Sequence, residues 1–327
     1  MSGKIIRISL NSMAWEDETF RSSLGRDVGS LRESIEMVGL LCPPRVQRSG
    51  ERFRLVSGFL RAGALRAIAA QAVDVEEAGE GIPEDTLLLE TLHENRFTRG
   101  FNWAERGWVV DRMTRIWKRP KTWVLRSVMP AMGLHGSPRL LDDHLAVASL
   151  CVPVRDALLG RGCSLANGLR IASWPSTEQE AVIPFLESLH LGESLLREFL
   201  DTIREIALLE KCPISMFLSR PEVREILEDP KRDRPQRAQT LRSYLRRRRY
   251  PRLVSMERAF RQARGALMFP PGLSIEPEPF FEEAGVRISF RARTQAEFKE
   301  MSLRLGEACE KEEAVRAVFR ATEELPP

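Results

Sequence analysis

Strand signals stop in this chain at about Trp103 and return only beyond Gly272. Before Trp103, short β-branched runs at 4–10, 45–47, 53–57 and 73–76 alternate with helical stretches. Helical spacing then runs unbroken through segments at about 103–117, 121–132, 137–149, 153–160, 164–173, 177–189 and 193–209. Near the end, Val286, Ile288 and Phe290 alternate with Arg287, Ser289 and Arg291, the period of a half-buried strand. A chain that changes period twice buries its apolar residues in separate layers. With 327 residues it has room for two or three domains. The expected class is therefore an α+β multidomain protein: a small α/β domain, an all-helical domain and a small α-β-β-α domain.

Local signals place the elements. Ser30-Leu31-Arg32-Glu33 has the spacing of a capping box, with Leu31, Ile35 and Val38 following along one helix face and Gly39 ending it. Pro43-Pro44 forces an extended entry to the next strand, Ser49-Gly50 supplies a turn, and Gly58 opens a helix reaching about Ala70. A further helix spans about 84–95. Trp103, Trp108, Trp117 and Trp123 fall near the start of the helical region, where their spacing suits core packing rather than a base-stacking platform. Pro270-Pro271-Gly272 breaks the helix of 253–268, and Thr294-Gln295-Ala296-Glu297 repeats the capping pattern ahead of a last helix. An α-β-β-α unit of this size has little core of its own, so pairing with a second copy into a homodimer is expected. The expected boundaries are 1–101, 102–219, a basic linker at 220–252, and 253–327.

Composition narrows the chemistry. The five cysteines are scattered without a C-x-x-C pair, which argues against a disulfide framework and structural zinc. The four histidines form no metal-ligand pattern. No apolar stretch approaches the roughly 20 residues that span a bilayer, and Arg7 arrives before an apolar run of signal-peptide length. No membrane association is expected, and the expected location is a reducing cytoplasm. The formal charge of +4 says little, but its distribution says more. Ten basic residues and one acid lie between Lys231 and Arg252, so that segment carries +9 and the rest nets −5. Such a stretch is either a footprint for polyanions or a solvated helical face. The run Arg246, Arg247, Arg248, Arg249 favours the first, because four adjacent cations repel one another without a counter-surface.

Five stretches taken in order resemble the ParB family. Residues 31–66 read L-R-E-S-I-E-M-V-G-L-L-C-P-P-R-V…L-V-S-G-F-L-R-A-G-A-L-R, similar to the helix, glycine, proline, strand and V-x-G-x-x-R pattern of a ParB/sulfiredoxin-like amino-terminal domain. Glu94-Asn95-Arg96-Phe97-Thr98-Arg99 resembles that family's E-N-x-x-R stretch. Residues 132–150, M-G-L-H-G-S-P-R-L-L-D-D-H-L-A-V-A-S-L, are similar to its helix-turn-helix, 164–170 to the helix that follows, and the tail to its dimerisation domain. The resemblance implies a DNA-binding homodimer with possible CTP-dependent clamping. Gly58, Arg61, Glu94, Asn95 and Arg99 would form the nucleotide pocket, with Glu94 on Mg2+. His135, Ser137 and Arg139 would meet double-stranded DNA, joined by Arg246–Arg249. Arginine reads guanine through two parallel hydrogen bonds, whereas Asp142 and Asp143 on the same helix oppose phosphates.

The sequence also departs from the family pattern. Phe59 and Leu60 stand in place of the first Glu-Arg of G-E-R-R, Gly63 stands where another arginine is usual, and Thr98 takes the arginine place of E-N-x-x-R. The fold can hence carry a working pocket or a weakened one. Any activity is at most a slow CTPase. Sulfiredoxin chemistry needs a cysteine at the turn 57–61, which has none, and a nuclease needs clustered metal ligands. The role implied is chromosome or plasmid partition, or nucleoid organisation. The alternatives are a ParB-like transcriptional regulator and a nucleotide-independent protein-interaction adaptor. A ParA-type ATPase is the implied protein partner. Its binding segment is expected before Lys4, where three residues stand.

Overall fold

A computed structural model describes residues 3–269 and 271–323. Two compact units emerge. The first runs to Asp201 and adds Pro213–Pro221; the second joins Thr202–Cys212 to the chain from Glu222 onward. Among the described residues, no helix is long and apolar enough to cross a membrane.

Unit 1 opens with β1 (Lys4–Ser9) and α1 (Gly29–Val38), followed by the hairpin β2 (Arg45–Ser49) and β3 (Arg52–Ser57). Gly50 turns the hairpin at φ +63°, a backbone region open to glycine without steric cost. After α2 (Phe59–Ala67) comes β4 (Ala72–Glu77), and the sheet order is β1-β4-β2-β3. β4 pairs antiparallel with β1 and parallel with β2. Ile8, Val46, Leu55, Val73 and Val75 from the strands bury one face against Ile35 of α1 and Ala62 and Leu65 of α2. The capping pattern at Ser30 is not used. α1 starts one residue earlier at Gly29, with no side-chain cap from Val28, while Asp27 accepts the Gly29 N–H at 3.1 Å. The acid ahead of the helix outcompetes the serine inside it.

α3 (Glu84–Thr98) leads into α4 (Trp103–Asp111), which widens into a π-helical turn at Arg112–Ile116. Next come α5 (Lys121–Trp123), a π-helical turn Val124–Val128 and α6 (Met129–Ala131), together one continuous helical rod. α7 (Pro138–Ala148), α8 (Val152–Gly160), α9 (Leu165–Ala172), α10 (Ser176–Gln179) and α11 (Ile183–Ser188) complete the helical part. Leu88 and Leu92 of α3, Val110 and Met113, Val128 and Leu141 share one core, which ties α3 to this region. A Cβ on Gly107 would lie 2.8 Å from the His144 carbonyl oxygen, so α4 and α7 pack backbone to backbone.

The division between units falls within α12 (Glu193–Leu209); α13 (Ile214–Leu218) belongs to unit 1. In unit 2, α14 (Pro221–Glu228) and α15 (Arg234–Arg249) occupy most of the basic segment 220–252. α15 has its own signals: an Asp233/Gln236 capping box, and Ala238, Leu241 and Leu245 buried at helical spacing. α16 (Pro251–Leu267), β5 (Leu273–Pro277), β6 (Val286–Phe290), α17 (Gln295–Cys309) and α18 (Glu312–Glu323) follow. The helix-breaking role read for Pro270 lies outside the described residues. Phe260 and Leu267 of α16 pack on Val318 and Ala321 of α18, with Phe281 edge-on to Phe260 at 6.0 Å. α17 buries only Ala308, although Thr294 caps it by accepting the Glu297 N–H at 3.1 Å.

Candidate functional site

In unit 1 a cavity of about 350 Å3 opens where β3 passes into α2. Gly58 makes that passage at φ +85°, and a Cβ there would sit 3.0 Å from the Pro44 Cα. Only glycine meets both conditions, the left-handed turn and the close approach of the α1–β2 loop. A helix start leaves its first amides without intrahelical acceptors and concentrates positive dipole, which is the physics of an anion site. Phe59, Leu60 and Arg61 begin α2 at the cavity, and α3 supplies Glu94, Asn95 and Thr98 opposite. All five residues assigned to the pocket line this one cavity.

Their polar atoms are engaged with one another. Arg61 Nη1 donates to the carbonyls of Cys42 at 2.9 Å and Pro43 at 3.2 Å, and Nη2 to Glu94 Oε1 at 3.3 Å. Asn95 Nδ2 donates to Ser22 Oγ at 3.2 Å, and its Oδ1 accepts from Arg99 Nε at 3.0 Å. Arg99 sends its remaining donors to Gly100 O, Glu105 Oε1, Ser22 O and Ser22 Oγ. A guanidinium has five N–H groups, so none is left for a ligand. Burial pushes the Arg99 pKa below its ordinary value, which Glu105 opposes. Arg66 and Arg96 do not take over: Arg66 lies over the Trp15 ring, and Arg96 donates to the Pro130 carbonyl at 3.0 Å.

Glu105, which carries no role in the sequence reading, organises this wall. Its carboxylate is fully buried and accepts from Arg26 Nε at 2.7 Å, Arg26 Nη2 at 2.9 Å and Arg99 Nη1 at 2.8 Å. It also closes a capping box with Asn102 at the start of α4. The bond to Glu105 raises the Arg26 pKa. The N-x-x-E spacing of Asn102 and Glu105 was the available signal. For magnesium, Glu94 is the one carboxylate lining the cavity, and no cluster of three metal-ligating side chains exists among the described residues. Mg2+ binds through one or two carboxylates plus phosphate oxygens, so Glu94 fits only with a ligand that brings the phosphates.

The second assigned set lies in the turn after the rod 121–131, which holds His135 and Ser137, and at the start of α7, which carries Arg139. A Schellman closure ends the rod: Gly133, at φ +77°, donates to Pro130 O at 2.9 Å, and Leu134 to Met129 O at 2.9 Å. A Cβ on Gly136 would fall 2.4 Å from the Leu125 carbonyl oxygen, so the turn presses on the rod's backbone. Ser137 caps α7, its Oγ accepting the Leu140 N–H at 3.5 Å. Its hydroxyl thus has a structural task. His135 and Arg139 are exposed, and among the described residues neither side chain has a hydrogen-bond or ion-pair partner. Arg126 on the rod shares that condition and was not singled out by sequence. Asp142 sits 3.4 Å from Lys121, which offsets part of its charge.

The arginine run behaves differently. In unit 2, Arg246 pairs with Glu257 at 2.5 Å, Arg248 with Glu210 at 2.9 Å and Arg249 with Glu205 at 2.7 Å. The repulsion among adjacent guanidiniums is relieved inside the protein, and the carboxylates raise the Arg246 and Arg249 pKa values. Arg247 is exposed on the same turn, without a partner among the described residues.

No family model matches the chain, and no curated protein matches its sequence. Solved structures are similar to it at low identity. One is the C-terminally truncated chromosome-partitioning protein ParB from Caulobacter crescentus complexed with CTP-γ-S, at 16% identity over 57% of this chain and 99% of that one, TM-score 0.25. Another is the same truncated ParB complexed to the centromeric parS site, at 15% identity over 59% and 99%, TM-score 0.32. The third, a Pnob8-like ParB-N domain, is similar to this chain at 12% identity over 75% of it and 98% of that domain, TM-score 0.37.

Proposed function

We propose that this chain is a ParB-like DNA-binding protein that acts as a homodimer. The observation that carries the proposal is the pair of helical rods at 121–131 and 138–148. The Gly136 turn is pressed against the first rod, while Arg139, His135 and Arg126 face solvent without partners among the described residues. A second helix that enters the major groove presents its first residues to base edges, while the first helix crosses the backbone. In this reading Arg139 contacts a base, His135 and Arg126 contact phosphates, and Ser137 holds the helix start. Residues 1–101 form the nucleotide domain, 102–219 the DNA-binding domain and 253–327 the dimerisation domain. Segment 220–252 contributes Arg247 to the DNA surface more than its three paired neighbours.

The nucleotide is CTP by the ParB resemblance. Gly58 at its left-handed turn, the start of α2 and a cavity within the 300–1,000 Å3 range of ligand sites support that choice. Hydrolysis is slow at most, because phosphoryl transfer depends on positioned cations and metal. The role is partition or nucleoid organisation, with promoter regulation as its alternative. Mobility-shift assays on fragmented genomic DNA across a salt series test the main reading. Binding that weakens with salt and drops in Arg139→Ala is the expected result. No binding at low salt would instead favour the adaptor reading, which the acidic pair Asp142 and Asp143 and the internally paired arginines support.

A further inference from the structure

We infer that Glu94 sets the anion affinity of the unit 1 cavity by holding Arg61, so that an incoming phosphate must displace this carboxylate. The inference deepens the nucleotide-pocket reading and rests on it for the identity of the ligand. Arg61 lies in the first turn of α2 and its guanidinium folds back beside the Gly58 turn, with Nη2 3.1 Å from the position of a Gly58 Cβ. The cation therefore stands where the helix start would receive an anion. Two other elements clasp it there: the loop carbonyls of Cys42 and Pro43 through Nη1, and Glu94 of α3 through Nη2.

Arg61 is the cation this cavity can release. Arg99 spends all five donors on the wall built around Glu105. The Arg61–Glu94 pair is looser, with side chains 21% and 43% exposed at 3.3 Å. An ion pair at the solvent edge is a weak lock, which makes exchange of one anion for another inexpensive. Glu94 opposes the ligand twice, as a competitor for Arg61 and as a like charge in the same cavity. Among the described residues no other carboxylate lines the cavity to share that role.

Calorimetric titration of the full chain with tripolyphosphate in EDTA tests this without base or metal. Wild type, Glu94→Gln, Arg61→Gln and the double variant are compared after their melting midpoints confirm folding. Glu94→Gln should bind about two- to fivefold more tightly than wild type, the range expected from losing one edge ion pair. The gain should vanish in the Arg61→Gln background. Equal or weaker binding by Glu94→Gln overturns the inference, as does a gain that survives without Arg61. Absence of binding by both wild type and Glu94→Gln also overturns it, since a freed Arg61 would have made a site. A parallel titration with CTP and Mg2+ separates the two readings. A tripolyphosphate gain without CTP binding keeps the role of Glu94 and removes the nucleotide, whereas CTP binding without that gain does the reverse.

Discussion

Single residues carry much of unit 1. Glu105 is a fully buried carboxylate held by two arginines and the amides of Leu24 and Asn102. Replacing one member of a buried ion network leaves its partners uncompensated, at a cost of about 3–5 kcal/mol. Arg26 retains 28% exposure and Arg99 17%, so water can recover part of their solvation. Glu105→Gln should therefore destabilise the protein by about 3 kcal/mol in urea unfolding, near the low end of that range. An unchanged midpoint would mean the arginines find other partners. Gly136 is as exacting, because the Leu125 backbone carbonyl lies where a Cβ would go and cannot rotate away. Gly136→Ala forces the turn off the rod and should cost about 1–3 kcal/mol. Gly133→Ala differs in kind: it keeps the contact and strains the left-handed cap. Both roles were readable as glycines near a turn, but not the carbonyl that makes one of them irreplaceable.

At the scale of elements, α7 stands on a buried histidine. His144 Nδ1 donates to the Leu140 carbonyl at 2.8 Å, while Nε2 is buried with no hydrogen-bond partner among the described residues. Burial pushes its pKa below the ordinary value and the positive Arg106 of α4 adds to this; the Leu140 carbonyl and Asp143 oppose both. A histidine depressed in the folded state contributes its full stability above the unfolded pKa of about 6.5 and loses it as pH falls through the folded value. Stability should therefore decline on acidification below about pH 6.5; under the proposed function, in which Arg139 of α7 contacts a base, DNA binding should decline with it. His144→Phe should flatten that part of the profile; a wild-type profile flat from pH 7 to 5 would contradict the assignment.

The elements also divide what the sequence disclosed from what it did not. Strands and helices of the first hundred residues were legible because glycines, prolines and β-branched runs mark each end. α15 was not, because its composition is dominated by arginine and only Ala238, Leu241 and Leu245 form the buried stripe. The candidate site was legible to the same degree. Gly58, Arg61, Glu94 and Asn95 could be brought to one cavity by motif order, but the carboxylates that consume the arginines come from elsewhere in the chain. Glu205, Glu210 and Glu257 answer a run that, read alone, favoured an external polyanion over a solvated helical face.

At the scale of the whole molecule, unit 2 carries exposed apolar surface. β5 and β6 form a two-stranded antiparallel sheet, and such a hairpin is marginal alone. Leu273, Ile275, Phe290 and Ile288 share one of its faces by register, yet Leu273 and Ile275 are buried while Ile288 is 42% exposed. α17 leaves Phe298 56% and Leu303 66% exposed. A cavity of about 200 Å3, lined by apolar side chains and Cys309, lies among β6, α17 and α18. Apolar surface gathered on one small unit marks an interaction face, and two copies of the same face bury each other by a twofold axis. The full chain should therefore run at twice its 37.2 kDa in sedimentation equilibrium. Phe298→Glu, which places a charge on the exposed end of α17 away from the α16–α18 core, should shift it to a single chain while circular dichroism stays unchanged. Under the proposed function a dimer presents two copies of α7 to DNA, so the same variant should then lose cooperative binding to paired half-sites while keeping the salt-dependent attraction that one copy supplies. A wild-type chain that sediments as a monomer at tens of micromolar would leave that face to another protein and remove the dimer from the proposed function.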